Sequence, residues 1–187
     1  MRDPDAIDWR LLGLGPLGLI VLTMPLLAAL AQITAQVPQP SPPRSWLEPL
    51  QSAERALAQG DLREAVRAGQ EAYRAALTSG QWPGMIDVGD LCLRMHSDEA
   101  TRTMVGPAQV RKAYLIALVR ARRDGDLGGI LRVAEAFANL EDDENVEHSL
   151  HIASSFAAHE SPEARELYWQ TAQRLRSRGP ATWPAAP

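Results

Sequence analysis

The stretch Leu11–Val37, LLGLGPLGLIVLTMPLLAALAQITAQV, contains no charged residue. At about 1.5 Å of rise per residue, roughly 20 such residues cover the ~30 Å hydrocarbon core of a bilayer. The run therefore predicts a single transmembrane helix over residues 11–37, preceded by a short flank at 1–10. Pro16 and Pro25 are compatible with a membrane helix, in which freed carbonyls find local partners. Gln32, Thr34 and Gln36 mark the end at which the chain leaves the lipid. Trp9 and Trp46 flank the run, as expected of residues at the two membrane interfaces. The competing reading is a cleaved signal peptide, for which Ala29-Leu30-Ala31 offers an acceptable site. Against it stand the length of the apolar run and the acidic leader, with Asp3, Asp5 and Asp8. Arg2 and Arg10 on the near side, against Arg44 on the far side, place the N-terminus in the cytoplasm and the following domain in the periplasm of a bacterial-type inner membrane. The span has no His, Asp, Glu or Lys, so it lacks the usual ligands for a pigment or haem and the groups for a proton relay.

After the span comes a proline-rich linker at 38–44, PQPSPPR, whose density of proline favours an extended spacer. The remainder, 45–179, is rich in Ala, Leu, Arg and Glu, residues that lose little on entering a helix. The segment 180–187, PATWPAAP, reads as a flexible tail. The net charge of −4 gives no basic bias toward nucleic acid. Cys92 is the only cysteine, which excludes an intrachain disulfide and a paired-cysteine zinc site.

Apolar residues from Ser45 onward recur at three- and four-residue steps, the period of amphipathic helices. Glycines at 60, 80, 106, 125 and 179 punctuate the pattern, and prolines at 83, 107 and 162 open helices. Leu47, Leu50, Trp82, Ile86, Val110, Tyr114, Leu115, Val119, Ile130, Phe137, Leu150, Leu167 and Tyr168 are expected on core faces. A short helix is expected between Ser97 and Gly106. Short turns between helices of this length predict antiparallel hairpins, so the fold class is all-α: one N-terminal transmembrane helix plus a domain of helical hairpins.

An internal echo links residues 58–73, AQGDLREAVRAGQEAY, with 123–137, RDGDLGGILRVAEAF. Gly60 and Gly125 lie 65 residues apart, close to two units of about 34. Gly60, Asp61, Leu62, Ala65 and Ala72 fit a glycine-acidic-aromatic turn followed by a helix with alanines seven apart. On these residues the chain resembles the tetratricopeptide repeat (TPR) family, over about half of the segment after the linker. Ile130 stands where the second copy should carry alanine, and the family's first-helix tryptophan, glycine and tyrosine are absent from both copies. The resemblance implies stacked helices with a surface for protein partners, and no chemistry.

Candidate sites are few. Glu144, Glu147, His148 and His151 share a helical stripe that could ligate a metal, but no facing Glu-x-x-His motif completes a bundle site. A solvated stripe is the simpler reading. Cys92 and His96 are four apart, yet the flanking leucines make Cys92 a small hydrophobe. Arg111, Lys112, Arg120, Arg122 and Arg123 make one helix basic, as a partner surface or as complements to a helix C-terminus. Trp183 in the tail is a candidate anchor on a partner. No catalytic constellation, cofactor site or metal site is expected. These features together predict a non-catalytic accessory subunit of a membrane complex of respiratory or photosynthetic type, in contact with other protein subunits and the lipid bilayer. The alternatives are an assembly factor or chaperone adaptor and, last, an enzyme or metal carrier using His148 and His151.

Overall fold

The computed structural model describes residues 44–178. The expected transmembrane helix at 11–37, with its flank and Trp9, nearly all of the linker, and the tail with Trp183 lie outside the described residues. Among the described residues no helix is long and apolar enough to cross a membrane.

The described chain is all-α, with seven helices and no strand. They are α1 (Leu47–Ala58), α2 (Leu62–Ser79), α3 (Trp82–Ser97), α4 (Pro107–Arg123), α5 (Leu127–Asn139), α6 (Asp143–Ala157) and α7 (Pro162–Arg176). Local chemistry sets their ends. Asp61, Asp126 and Asp142 each cap a helix by accepting from the backbone N–H three residues on, at 3.0, 2.8 and 3.4 Å. Such caps satisfy donors that a helix N-terminus leaves open.

The tightest packing joins α1 to α2, α3 to α4 and α5 to α6, giving three antiparallel hairpins. In addition α1 touches α3, α3 touches α5 and α5 touches α7, so the odd helices form one row. Contact of that extent is not made between α2 and α4 or between α4 and α6. The described residues thus form a stack of hairpins, with α7 packed against the last. The odd helices begin at 47, 82, 127 and 162, spacings of 35, 45 and 35 residues. The longer middle step holds residues 98–106, which form turns.

Two tryptophans lock successive odd helices together. Trp46, just before α1, is 0% exposed, and a β-carbon at Gly84 of α3 would stand 2.8 Å from its ring. Its indole N–H donates to Asp87 at 2.8 Å. Trp82, at the start of α3, repeats the arrangement one hairpin on. A β-carbon at Gly129 of α5 would stand 2.8 Å from its ring, and its N–H donates to Asp126 at 3.0 Å. An ion-pair ladder runs along the same row, from Glu54 to Arg94, Asp90 to Arg132, and Glu135 to Arg174. The three acids stand at the same register of α1, α3 and α5, seven residues after Leu47 and eight after Trp82 and Leu127.

Several expectations are corrected here. Trp46, expected at an exposed interface, is buried in the core, because Gly84 leaves its ring a slot and Asp87 satisfies its N–H. The segment 97–106 forms no separate helix. The Thr101 hydroxyl, fully buried, donates to the Met95 carbonyl and His96 Nδ1 lies 3.0 Å from the Val105 carbonyl, bonds that draw the loop back on α3. Leu115, Val119 and Leu167 are 37%, 66% and 48% exposed. No neighbouring helix among the described residues fully covers them.

The echo also has a different meaning. Gly60 and Gly125 have φ of 75° and 68°, and each precedes an aspartate cap. Asp61 N–H bonds Ala56 O and Asp126 N–H bonds Ala121 O, the left-handed helix termination that glycine favours. Glu141 adopts the same turn at φ 59°, and Asp142 N–H bonds Phe137 O. The shared motif is therefore a turn. It joins α1 to α2, α4 to α5 and α5 to α6, so α2 and α5, which follow the two matching Gly-Asp turns, stand in different rows. The 65-residue offset is not the period of the stack.

Candidate functional site

An open cleft lies between α2 and α4, floored by the C-terminal half of α3. The loop 98–106, which joins α3 to α4 within the second hairpin, contributes Met104 and Val105 to its lining. Val66, Gly69 and Tyr73 of α2 form one wall, Leu91, Cys92 and Met95 the floor, and Met104, Val105, Gln109 and Lys112 the other side. The cleft encloses about 320 Å³, within the range of small ligand pockets. Gly69 contributes space, since a β-carbon there would only reach ordinary contact with Leu91 at 3.5 Å.

Arg120 of α4 ties α4 to the C-terminal end of α2. Its guanidinium donates to the carbonyls of Ala76 at 2.9 Å, Leu77 at 2.9 Å and Gln81 at 3.0 Å. Arg123 donates to Gly80 O at 3.2 Å. The last turn of α2 has no basic residue of its own, so α4 supplies the cation that its open carbonyls attract. Arg120 and Arg123 thus complement a neighbouring helix rather than the end of their own. Burial, with the nearby Arg123 charge, draws the Arg120 pKa below the usual guanidinium value.

The rim of the cleft is cationic. Arg74 of α2 and Lys112 of α4 line the cleft, both exposed, and no Asp or Glu lines it. Neither side chain forms an ion pair among the described residues. The nearest carboxylate on α2, Glu71, is paired with Arg67 at 3.3 Å. Met104, on the cleft lining, is 48% exposed, so the apolar lining reaches the surface there.

Cys92 stands on the floor, and burial pushes its thiol up to about 11. A thiol held protonated is a poor nucleophile. His96 bonds the Val105 carbonyl instead of Cys92. Tyr114 lies behind the floor, its hydroxyl donating to Asp90 at 2.8 Å. Burial, then the Asp90 charge, raises its pKa far above the ordinary phenol value.

The other expected site residues are dispersed. Arg111 pairs with Asp142, the cap of α6. Burial opposes ionisation of Asp142, but hydrogen bonds from Arg111 and Asn145 outweigh it and hold the carboxyl below its ordinary value. Arg122 is exposed. Glu144, His148 and His151 are exposed on α6, and Glu147 lies 3.9 Å from Arg176 of α7. Among the described residues no three His, Cys, Asp or Glu side chains are grouped to hold a metal. Arg74 went unnoticed in the sequence. Its only signal was a place on the Val66–Tyr73 stripe of α2, where a cation beside apolar residues marks a rim.

Compared with known proteins, the chain matches no family model, no curated protein and no solved structure.

Proposed function

We propose that this chain is a non-catalytic, membrane-anchored accessory subunit of a larger membrane protein complex of respiratory or photosynthetic type. Its helical-repeat domain, TPR-like in layout, binds other protein subunits. The observation that carries the docking role is the stack of hairpins with an open apolar cleft between α2 and α4. Repeats of this kind present extended surfaces to partners. The 35-residue spacing of α1 to α3 and of α5 to α7 supports the TPR-like layout. The charge-free run Leu11–Val37 supports the anchor, and the arginine asymmetry supports a periplasmic domain.

The open cleft also favours a second reading, an assembly factor or chaperone adaptor that holds client chains transiently. Purification in mild detergent from native membranes separates the two. A subunit co-purifies at fixed stoichiometry with its complex, whereas an adaptor is recovered substoichiometrically with varied clients. Recovery of the chain alone and monomeric defeats both.

A further inference from the structure

We infer that the α2–α4 cleft receives an acidic amphipathic segment of a partner protein, whose apolar side chains enter the cleft while its carboxylates meet Arg74 and Lys112. The inference deepens the docking role proposed above and rests on it.

Three observations converge. First, the cleft is apolar and open, with a volume of about 320 Å³. That is room for one or two large apolar side chains, the anchors by which an amphipathic helix sits in a groove. Second, its charge is one-sided. The chain as a whole carries −4, yet the charged residues lining this cleft are Arg74 and Lys112. These cations stand on opposite walls and have no ion-pair partner among the described residues, so carboxylates on both flanks of an inserted segment would find one each. Such complementarity acts on specificity and association rate, and it penalises a basic competitor. Third, the apolar lining reaches the surface, since Met104 is 48% exposed. A peptide lying across the mouth would bury that exposed apolar area. The site is also held in shape. Arg120 and Arg123 fasten the C-terminal ends of α2 and α4, and the bond of His96 to Val105 fixes the loop at the other end.

The test uses the full chain in lipid nanodiscs, since detergent tails would compete for the cleft. Two synthetic helical peptides of about 12 residues carry the same leucine stripe, one with glutamates on its polar face and one with lysines. Binding is read by fluorescence anisotropy, and occupancy of the floor by protection of Cys92 from alkylation. The glutamate peptide is expected to bind and to slow Cys92 alkylation at least fivefold. The charge-reversed variant R74E/K112E should weaken it tenfold or more and gain affinity for the lysine peptide. The variant Gly69→Phe fills the cleft from a position that meets no backbone, and should abolish binding while keeping helix content. Equal binding of both peptides, absence of Cys92 protection, or undiminished binding by Gly69→Phe each overturns the inference. So does protection by dodecanoate without protection by the peptide, which would make the cleft a small-amphiphile site. If R74E/K112E still co-purifies with the partners of the wild type, the docking role stands and this assignment of its surface fails.

Discussion

Two glycine-to-alanine substitutions on neighbouring helices should change stability in opposite directions. In α3, a β-carbon at Gly89 would stand 2.4 Å from Tyr114 Cε1 and 2.7 Å from Cδ1. The ring has little freedom to yield. Tyr114 is 0% exposed, its hydroxyl is bonded to Asp90, and it meets the Phe137 ring edge-on at a centroid distance of 5.5 Å. Overpacking of this kind costs about 1–3 kcal/mol. Alanine recovers about 1 kcal/mol of helix propensity. A 2.4 Å approach lies well inside contact distance, so the upper part of the overpacking range applies and Gly89→Ala should destabilise by about 1–2 kcal/mol. In α2, the β-carbon at Gly69 would reach only 3.5 Å from Leu91, an ordinary contact. Gly69→Ala should therefore stabilise by about 0.5–1 kcal/mol. Urea unfolding followed by far-ultraviolet circular dichroism reads both, and a domain of this size moves by about 3–5 °C per kcal/mol in thermal melts. A double-mutant cycle sharpens the test. Tyr114→Leu should relieve part of the Gly89→Ala cost, with a coupling of at least about 0.5 kcal/mol, and should be nearly additive with Gly69→Ala. A neutral or stabilising Gly89→Ala, or two variants that shift together, would refute the packing assigned to α3 and α4.

Other outcomes follow from the same geometry. Glu141→Gly removes a side chain from the left-handed region and should raise stability by about 0.5–1 kcal/mol in the same melts, whereas Gly125→Glu should lower it by a similar amount. Arg120→Met strips two carbonyls of the α2 terminus, and that of Gln81 before α3, of their charged donor and should cost about 2–3 kcal/mol, with faster amide exchange concentrated in the last turn of α2. The Asp142 carboxyl is held below its ordinary value in the folded state, so its pairing stabilises fully above the ordinary aspartate pKa. That contribution is lost as pH falls through the folded value, and acid titration of Arg111→Ala should lack this loss. With its thiol near 11, Cys92 should react with iodoacetamide at pH 8 roughly two orders of magnitude more slowly than a free thiol, and unfolding should restore the rate.

Much of the described fold was legible before any coordinates. The starts of α3, α4 and α7 were marked by Pro83, Pro107 and Pro162, and the turn at Gly60-Asp61 by its residue types, because these signals act within one helical turn. Core residues such as Ile130, Phe137 and Leu150 followed from helical spacing. The same spacing misplaced Leu115 and Val119, since periodicity identifies a stripe without saying whether another helix covers it.

The sequence by itself determined the helical class, the turn chemistry and the charge-free run at 11–37, each a property of adjacent residues. Only the tertiary structure decided which helices share a row. That choice turned the Gly-Asp-Leu echo from a repeat period into a turn motif, moved Trp46 from an expected lipid interface into a slot above Gly84, and set Arg120 on the carbonyls of α2. It also brought Arg74 and Lys112, 38 positions apart in the chain, to facing walls of one cleft. The physical reason is the same in each case. A slot, a cap from a neighbour or a rim exists only when two helices distant in sequence approach, and no local propensity encodes that distance.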